Sequence, residues 1–260
     1  MANQDKPSPG RPASPGRLAS PGRLAVRNVD ALVFAADMYG LQLDQLAALT
    51  GDERSARAAA ARWRGLGYAE TARLSAGAPW LWVTRAGLAA CGRGYRAGSP
   101  ALSQLAHIRA VAAARIALEA TDGYRAASAF WRCERRIRSR QHGVGVRQHL
   151  PDGEVHWPDG AHGRDGTPIG WAGECWAIEA ELTPKTVART TAIMREILFR
   201  TGDYGCPAAD VSVPGRPPRH ARALYLCSPA ALSTVLRARA ALGPLAARIE
   251  VRDLPPGAPL

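Results

Sequence analysis

The chain has 260 residues and a formal charge of +12, enough for one large or two modest domains and weighted toward an anionic partner, nucleic acid before a membrane surface. No apolar run approaches the roughly 18 residues of a spanning helix and the N-terminus lacks a signal-peptide core, so a cytoplasmic protein is expected. Five scattered cysteines without a Cys-x-x-Cys pair argue against a disulfide framework or a cysteine-built zinc site. Of the 34 basic residues only Lys6 and Lys185 are lysine. GC-rich codon usage accounts for the arginine excess as readily as phosphate recognition does.

The first 25 residues repeat a Ser-Pro-Gly-Arg hexapeptide at Ser8, Ser14 and Ser20. With Pro and Gly in each copy and little apolar surface, this predicts a disordered basic arm, either a spacer or a phosphate-grazing tail.

Residues 28–97 carry helical periodicity. Asp30 can cap a first helix ending at Gly40, a second covers 43–49, and the turn Thr50-Gly51-Asp52 leads into a third at 53–66. Segments 68–74 and 80–84 flank the turn at 75–79 and predict a β-hairpin, followed by a short helix from Thr84. Three helices and a hairpin in this order describe a winged helix-turn-helix. On the third helix Ala56, Ala60, Trp63 and Leu66 form an apolar stripe. Arg54, Arg57 and Arg64 occupy another face with Arg62 at its margin, and Arg73 and Arg85 surround the hairpin. DNA is the partner these arginines predict, the alternative being a solvated face used for protein contacts.

Residues 101–120 predict a connecting or dimerising helix, on which His107 reads as a packed histidine. Beyond it, 130–138 reads as an amphipathic helix carrying Glu134 among Arg132, Arg135, Arg136 and Arg138, and Arg140 and Arg147 extend this basic stretch. A polar loop rich in Gly, His and Asp runs to about 173. A strand follows at 176–182, then a helix at 185–200, a strand at 223–227, a helix at 229–242 and a strand at 248–252. This alternation implies an α/β layer in a chain that is α+β overall. The expected divisions are an arm at 1–27, a winged helix at 28–97, a connecting helix at 98–125, an α/β domain at 126–254 and a tail at 255–260.

The strand Trp176-Ala-Ile-Glu-Ala-Glu-Leu carries the chemistry. Residues two apart on a strand share a face, roughly 6.6 Å apart, so Glu179 and Glu181 stand side by side while Ile178, Ala180 and Leu182 face a core. Crowded carboxylates call for a cation or donors between them. Asp152, in His149-Leu-Pro-Asp-Gly, adds a third oxygen donor, and such a set suits Mg²⁺ or Mn²⁺. His156-Trp-Pro-Asp159-Gly repeats the motif, which makes Asp159 a rival for the same position. The plainer alternative is an edge strand with surface glutamates. A zinc site from His142, His149, His156 and His162 is conceivable, but these histidines lack cysteine partners and regular spacing, and a polar loop is the expectation.

Glu134, Pro151-Asp152 and Glu179-Ala-Glu181 together resemble the PD-(D/E)xK nuclease superfamily, which implies a restriction-endonuclease-like α/β domain. The resemblance implies catalytic roles for Glu134, Asp152, Glu179, Glu181 and Lys185, with metal held by Asp152 and Glu179. Glu181 stands where that superfamily usually has lysine, and Lys185 could restore the charge. Residues 28–254 also resemble the replication-relaxation proteins of actinobacterial plasmids and integrative elements, on His-x-Pro-Asp-Gly, Trp-Ala-Ile-Glu-Ala-Glu-Leu-Thr-Pro-Lys and Arg189-Thr-Thr-Ala-Ile. This implies a DNA-binding role in plasmid replication or mobilisation, as a homodimer or with replication proteins. The activity it implies is that of an endonuclease or nickase, or of a regulator with a decayed nuclease domain.

Overall fold

The computed structural model describes residues 26–139, 149–162, 165–167, 170, 172–200 and 218–255. The hexapeptide arm lies outside these residues, as do Arg140, His142 and Arg147.

The N-terminal part contains α1 (Val26–Asp37), β1 (Leu41–Gln42), α2 (Leu43–Thr50), α3 (Glu53–Gly65), β2 (Ala69–Ala72), β3 (Trp80–Val83) and α4 (Arg85–Ala90). α1 starts two residues inside the segment expected to be an arm. Gly51, at φ 102°, ends α2 in the left-handed region, and Asp52 then caps α3 by accepting from Ser55 N at 2.8 Å. The three strands form an antiparallel sheet in the order β1-β3-β2. Ala56, Ala60 and Trp63 of α3 are buried, and Leu66 is half-buried.

α5 (Leu105–Glu119) is the central helix, with Ala110, Val111, Ala112 and Ala114 buried within the chain. These small side chains let α5 pack against α2 and β1 on one side and the second sheet on the other. After the short α6 (Asp122–Ala126) come β4 (Phe130–Cys133), α7 (Glu134–Arg138), β5 (Gly153–His156), β6 (Cys175–Glu181), α8 (Val187–Phe199), β7 (Arg222–Cys227), α9 (Pro229–Ala240) and β8 (Ile249–Asp253).

The helix expected over 130–138 is therefore a strand followed by a short helix. Trp131 and Cys133 are buried while Phe130 is exposed, a period-two pattern that lets β4 pair with β5. The second sheet runs β4-β5-β6-β7-β8, antiparallel through β6 and parallel from β6 to β8. Parallel neighbours need long crossovers, which α8 and α9 supply. The fold is thus a mixture of helices with two sheets.

Both faces of this second sheet are covered. Ile178 and Leu224 join a core that continues through Trp131 and Val111 to Trp63 and Leu32, so both parts of the chain share it. Ala177 and Tyr225 face α8 and α9 with Met194, Ile197 and Val235. Arg135 ties α7 to the N-terminal part, donating to Ala36 O and Arg96 O at 2.7 Å each and lying over the rings of Tyr39 and Tyr95. Among the described residues no helix is long and apolar enough to cross a membrane.

Candidate functional site

The acidic residues meet where β4 ends and β5 begins. Glu134 opens α7, and its N–H donates to Asp152 O at 3.3 Å. Asp152 precedes β5, and its Oδ2 accepts from Ala180 N at 2.8 Å, between Glu179 and Glu181 on β6. Gly153 pairs with Ile178 in the antiparallel register, and this places Asp152 beside the C-terminal half of β6. Asp159 is exposed and follows the opposite end of β5, where Trp157 N donates to Glu174 O. Strand direction therefore separates the two Pro-Asp motifs.

Glu179 and Glu181 share the face that looks toward α8, and both are buried, Glu179 to 3% exposure. They are not the surface glutamates of an edge strand: β6 lies between β5 and β7. Burial pushes the Glu179 carboxyl up to about 7, the charges of Asp152 and Glu181 push the same way, and His149 opposes them. The phenol of Tyr225, Glu179's neighbour across β6 and β7, is buried without a hydrogen-bond partner, and burial and the same carboxylates raise its pKa. Lys185 reaches back to Glu181 and forms an ion pair with it.

Two histidines complete the site, and neither is assigned to it by the sequence. His149 Nε2 lies 2.9 Å from Glu179 Oε1. Its own N–H donates to Glu196 on α8 at 2.8 Å. Burial works against a charge on His149, but Glu179, Asp152 and Glu196 outweigh it and raise its pKa. His107, from the middle of α5, places Nε2 2.8 Å from Asp152 Oδ1. Burial again opposes the charge, and the Asp152 contact, with Glu179 and Glu134 behind it, lifts the His107 pKa to about 9. His107 is thus a partner of the carboxylates and not merely a packed side chain. His149 stands three residues before Asp152, a visible spacing, whereas nothing local ties His107 to a residue 45 positions away.

A cavity of about 130 Å³ opens beside these groups, lined by Tyr39, His107, Cys133, Glu134 and Asp152. At roughly 30 Å³ per water it has room for a few waters or a hydrated ion. A wider groove adjoins it, lined by Tyr39, Tyr95, Arg96, Arg135 and Arg138. Arg138 pairs with Glu134, Arg132 pairs with Glu154, and Arg135 holds the two parts together. Of the described members of the basic stretch read from the sequence, Arg132 and Arg135 are engaged inside the molecule, whereas Arg136 and Arg138 are exposed, as is Arg96 beside them in the groove.

On the N-terminal part Arg54, Arg57, Arg62, Arg64, Arg73 and Arg85 are all exposed, and Arg57 forms a 2.5 Å ion pair with Glu53.

The donor set fits a hard cation chemically, because Asp152 and Glu179 are oxygen ligands whose crowded charge a cation would relieve. Among the described residues, however, the trio of Asp, Glu, His or Cys whose ligand atoms all lie within 4.8 Å of one another is Glu154, Cys175 and His220, at the other end of the sheet. The chain matches no family model, no curated protein and no solved structure.

Proposed function

We propose that this protein binds DNA through a winged helix and acts on it as a metal-dependent endonuclease or nickase with a PD-(D/E)xK-like site. One observation carries the reading: Glu134, Asp152 and Glu179 arrive from three separate elements at one corner of the second sheet, joined by the contacts of Asp152 to Glu134 N and Ala180 N. The order of elements supports it further. The Pro-Asp precedes the second strand of that sheet, the Glu-x-Glu lies on the third, and a helix crosses to a parallel fourth. Helix, strand, two helices and a hairpin, with β1 paired to β3, support the winged-helix reading of the N-terminal part.

In this reading Asp152 and Glu179 hold Mg²⁺ or Mn²⁺. Such an ion, when bound, supplies a water of lowered pKa and shields the phosphate charge. Lys185, drawn to Glu181, orients that water, and Arg96 and Arg138 line the approach for the flanking backbone. The resemblance to replication-relaxation proteins supports a setting in plasmid replication or mobilisation.

A second reading, a DNA-binding regulator without cleavage, draws on a different observation. Both Asp152 oxygens accept protein donors, and Glu179 and Glu181 are met by His149 and Lys185. A site neutralised by its own side chains stands without a cation. The deciding experiment incubates purified protein with supercoiled plasmid in Mg²⁺, Mn²⁺ or EDTA. Nicked circles that need metal and vanish in Glu179→Gln, with DNA binding retained, support the nuclease. Metal-independent silence with retained binding supports the regulator.

A further inference from the structure

The groove beside the acidic cavity encloses about 640 Å³ and is walled by both parts of the chain. Tyr39 and the segment 94–101 come from the N-terminal side, Arg135 and Arg138 from α7, and Gln104 and Ile108 from the start of α5. Tyr39, Gln104 and Ile108 also line the acidic cavity, so the two spaces are continuous. We infer that the groove binds a single strand of DNA and leads its backbone to the carboxylates. The inference rests on the DNA role proposed above and adds the form of strand that the site takes.

Size is the first argument. A pocket of roughly 300–1,000 Å³ takes a ligand the size of one or two nucleotides. A duplex keeps its bases stacked inside and shows only their edges, so it would lie across the mouth without filling it. An unpaired strand offers bases and phosphates together.

The lining answers both. It contains three arginines and, among the described residues, no aspartate or glutamate. Arg96 is exposed, and although its carbonyl accepts from Arg135, its side chain has no partner among the described residues. Its guanidinium is open to a phosphate. Arg138 pairs with Glu134 yet is exposed, and its five N–H donors exceed what that pair uses. Arg135 is engaged with two carbonyls and stacks between Tyr39 and Tyr95, 4.5 and 4.6 Å from their ring centroids. Ring, guanidinium and ring form a flat-sided stack along the groove, the kind of surface on which unpaired bases lie.

Tyr39 supplies an independent sign. It follows the end of α1 at φ 64°, a left-handed position where helices usually place glycine. A tyrosine there is strained, and such strain gathers at working sites. Its ring packs on Arg135 and its hydroxyl donates to Glu134 at 3.4 Å, so one side chain forms the step from groove to cavity.

The test measures binding of the full chain to a fluorescein-labelled oligothymidylate of about eight nucleotides by anisotropy, in EDTA at several salt concentrations. Wild type should bind it. Arg96→Gln with Arg138→Gln should weaken binding roughly tenfold or more, the worth of a charged hydrogen bond. The log–log salt slope should fall by about 1.4, near 0.7 for each lost phosphate contact. Arg96→Gln alone, which removes nothing from the fold, should lower it by about 0.7. Arg54→Ala with Arg64→Ala should leave this binding intact. No binding by wild type, binding unchanged in both groove variants, or equal loss in the α3 variant overturns the inference. Groove-dependent binding without plasmid nicking would overturn the nuclease and leave the groove as a strand-binding site. Nicking with groove-independent binding would do the reverse.

Discussion

His107 on α5 and Asp152 ahead of β5 meet at 2.8 Å, joining the central helix to the corner where the carboxylates gather. Because α5 also packs on α2 and β1, this contact links the N-terminal part of the chain to the acidic site. It is also a titratable joint.

Stability should therefore fall with rising pH in metal-free buffer. Glu179 is raised from 4.5 to about 7, so its contribution is fully present below 4.5 and lost as pH rises through 7. The displacement corresponds to something on the order of 3 kcal/mol. His107 is raised from 6.5 to about 9, and its contribution is present below 6.5 and lost through 9. Its side chain is 43% exposed, so solvent screening makes this part small. Melting temperatures measured from pH 5 to 9 in EDTA should decline, and Glu179→Gln should flatten most of that decline and be the more stable protein at pH 8. A wild-type profile that rises with pH would contradict the buried, crowded carboxyl.

DNA affinity should respond unequally to the α3 arginines. Arg57 is already neutralised in part by Glu53, whereas no ion pair holds Arg54 or Arg64 among the described residues. Replacing Arg54 and Arg64 by alanine should reduce the log–log salt slope by about two, near 0.9 for each lost phosphate contact. Glu53→Gln should strengthen binding by releasing Arg57. Fluorescence anisotropy at several salt concentrations measures both effects, and an unchanged slope would remove α3 from the interface.

Arg135→Ala should weaken the junction between the two parts of the chain. It removes hydrogen bonds to two carbonyls and the packing between Tyr39 and Tyr95, a loss of about 2–3 kcal/mol. Lysine should not rescue it, because only the guanidinium fork reaches both carbonyls. Since both parts share one core, chemical denaturation should remain a single transition with a lower midpoint. Two separated transitions would show that the core does not couple them.

Gly153→Ala tests the close approach of β4 and β5. A Cβ at this position would collide with the indole of Trp131, which is itself buried and cannot swing aside. The expected cost is about 1–3 kcal/mol, read as a shift in denaturation midpoint. Asp152 is the preceding residue, so metal-dependent cleavage, where present, should fall further than stability alone explains.

Local pattern determined a good part of this protein. The side-by-side glutamates of β6 with Ile178 and Ala180 behind them follow from a period of two. The order of helices and hairpin in the N-terminal part follows from helical period and from the punctuation of Gly51 and Asp52. The same period of two was present in Phe130-Trp-Arg-Cys, but a following basic run at helical spacing obscured it, and pairing with β5 decided the strand. Tertiary structure alone selected Asp152 over Asp159, because the two motifs read alike and only the antiparallel register puts one beside Glu179 and the other at the far end. It alone brought His107 to Asp152, and Glu154, Cys175 and His220 to one another. Periodicity and capping act over a few residues and leave their mark in the local sequence. Contacts across 45 or 66 positions depend on strand register and on where a helix docks, which the whole core determines together.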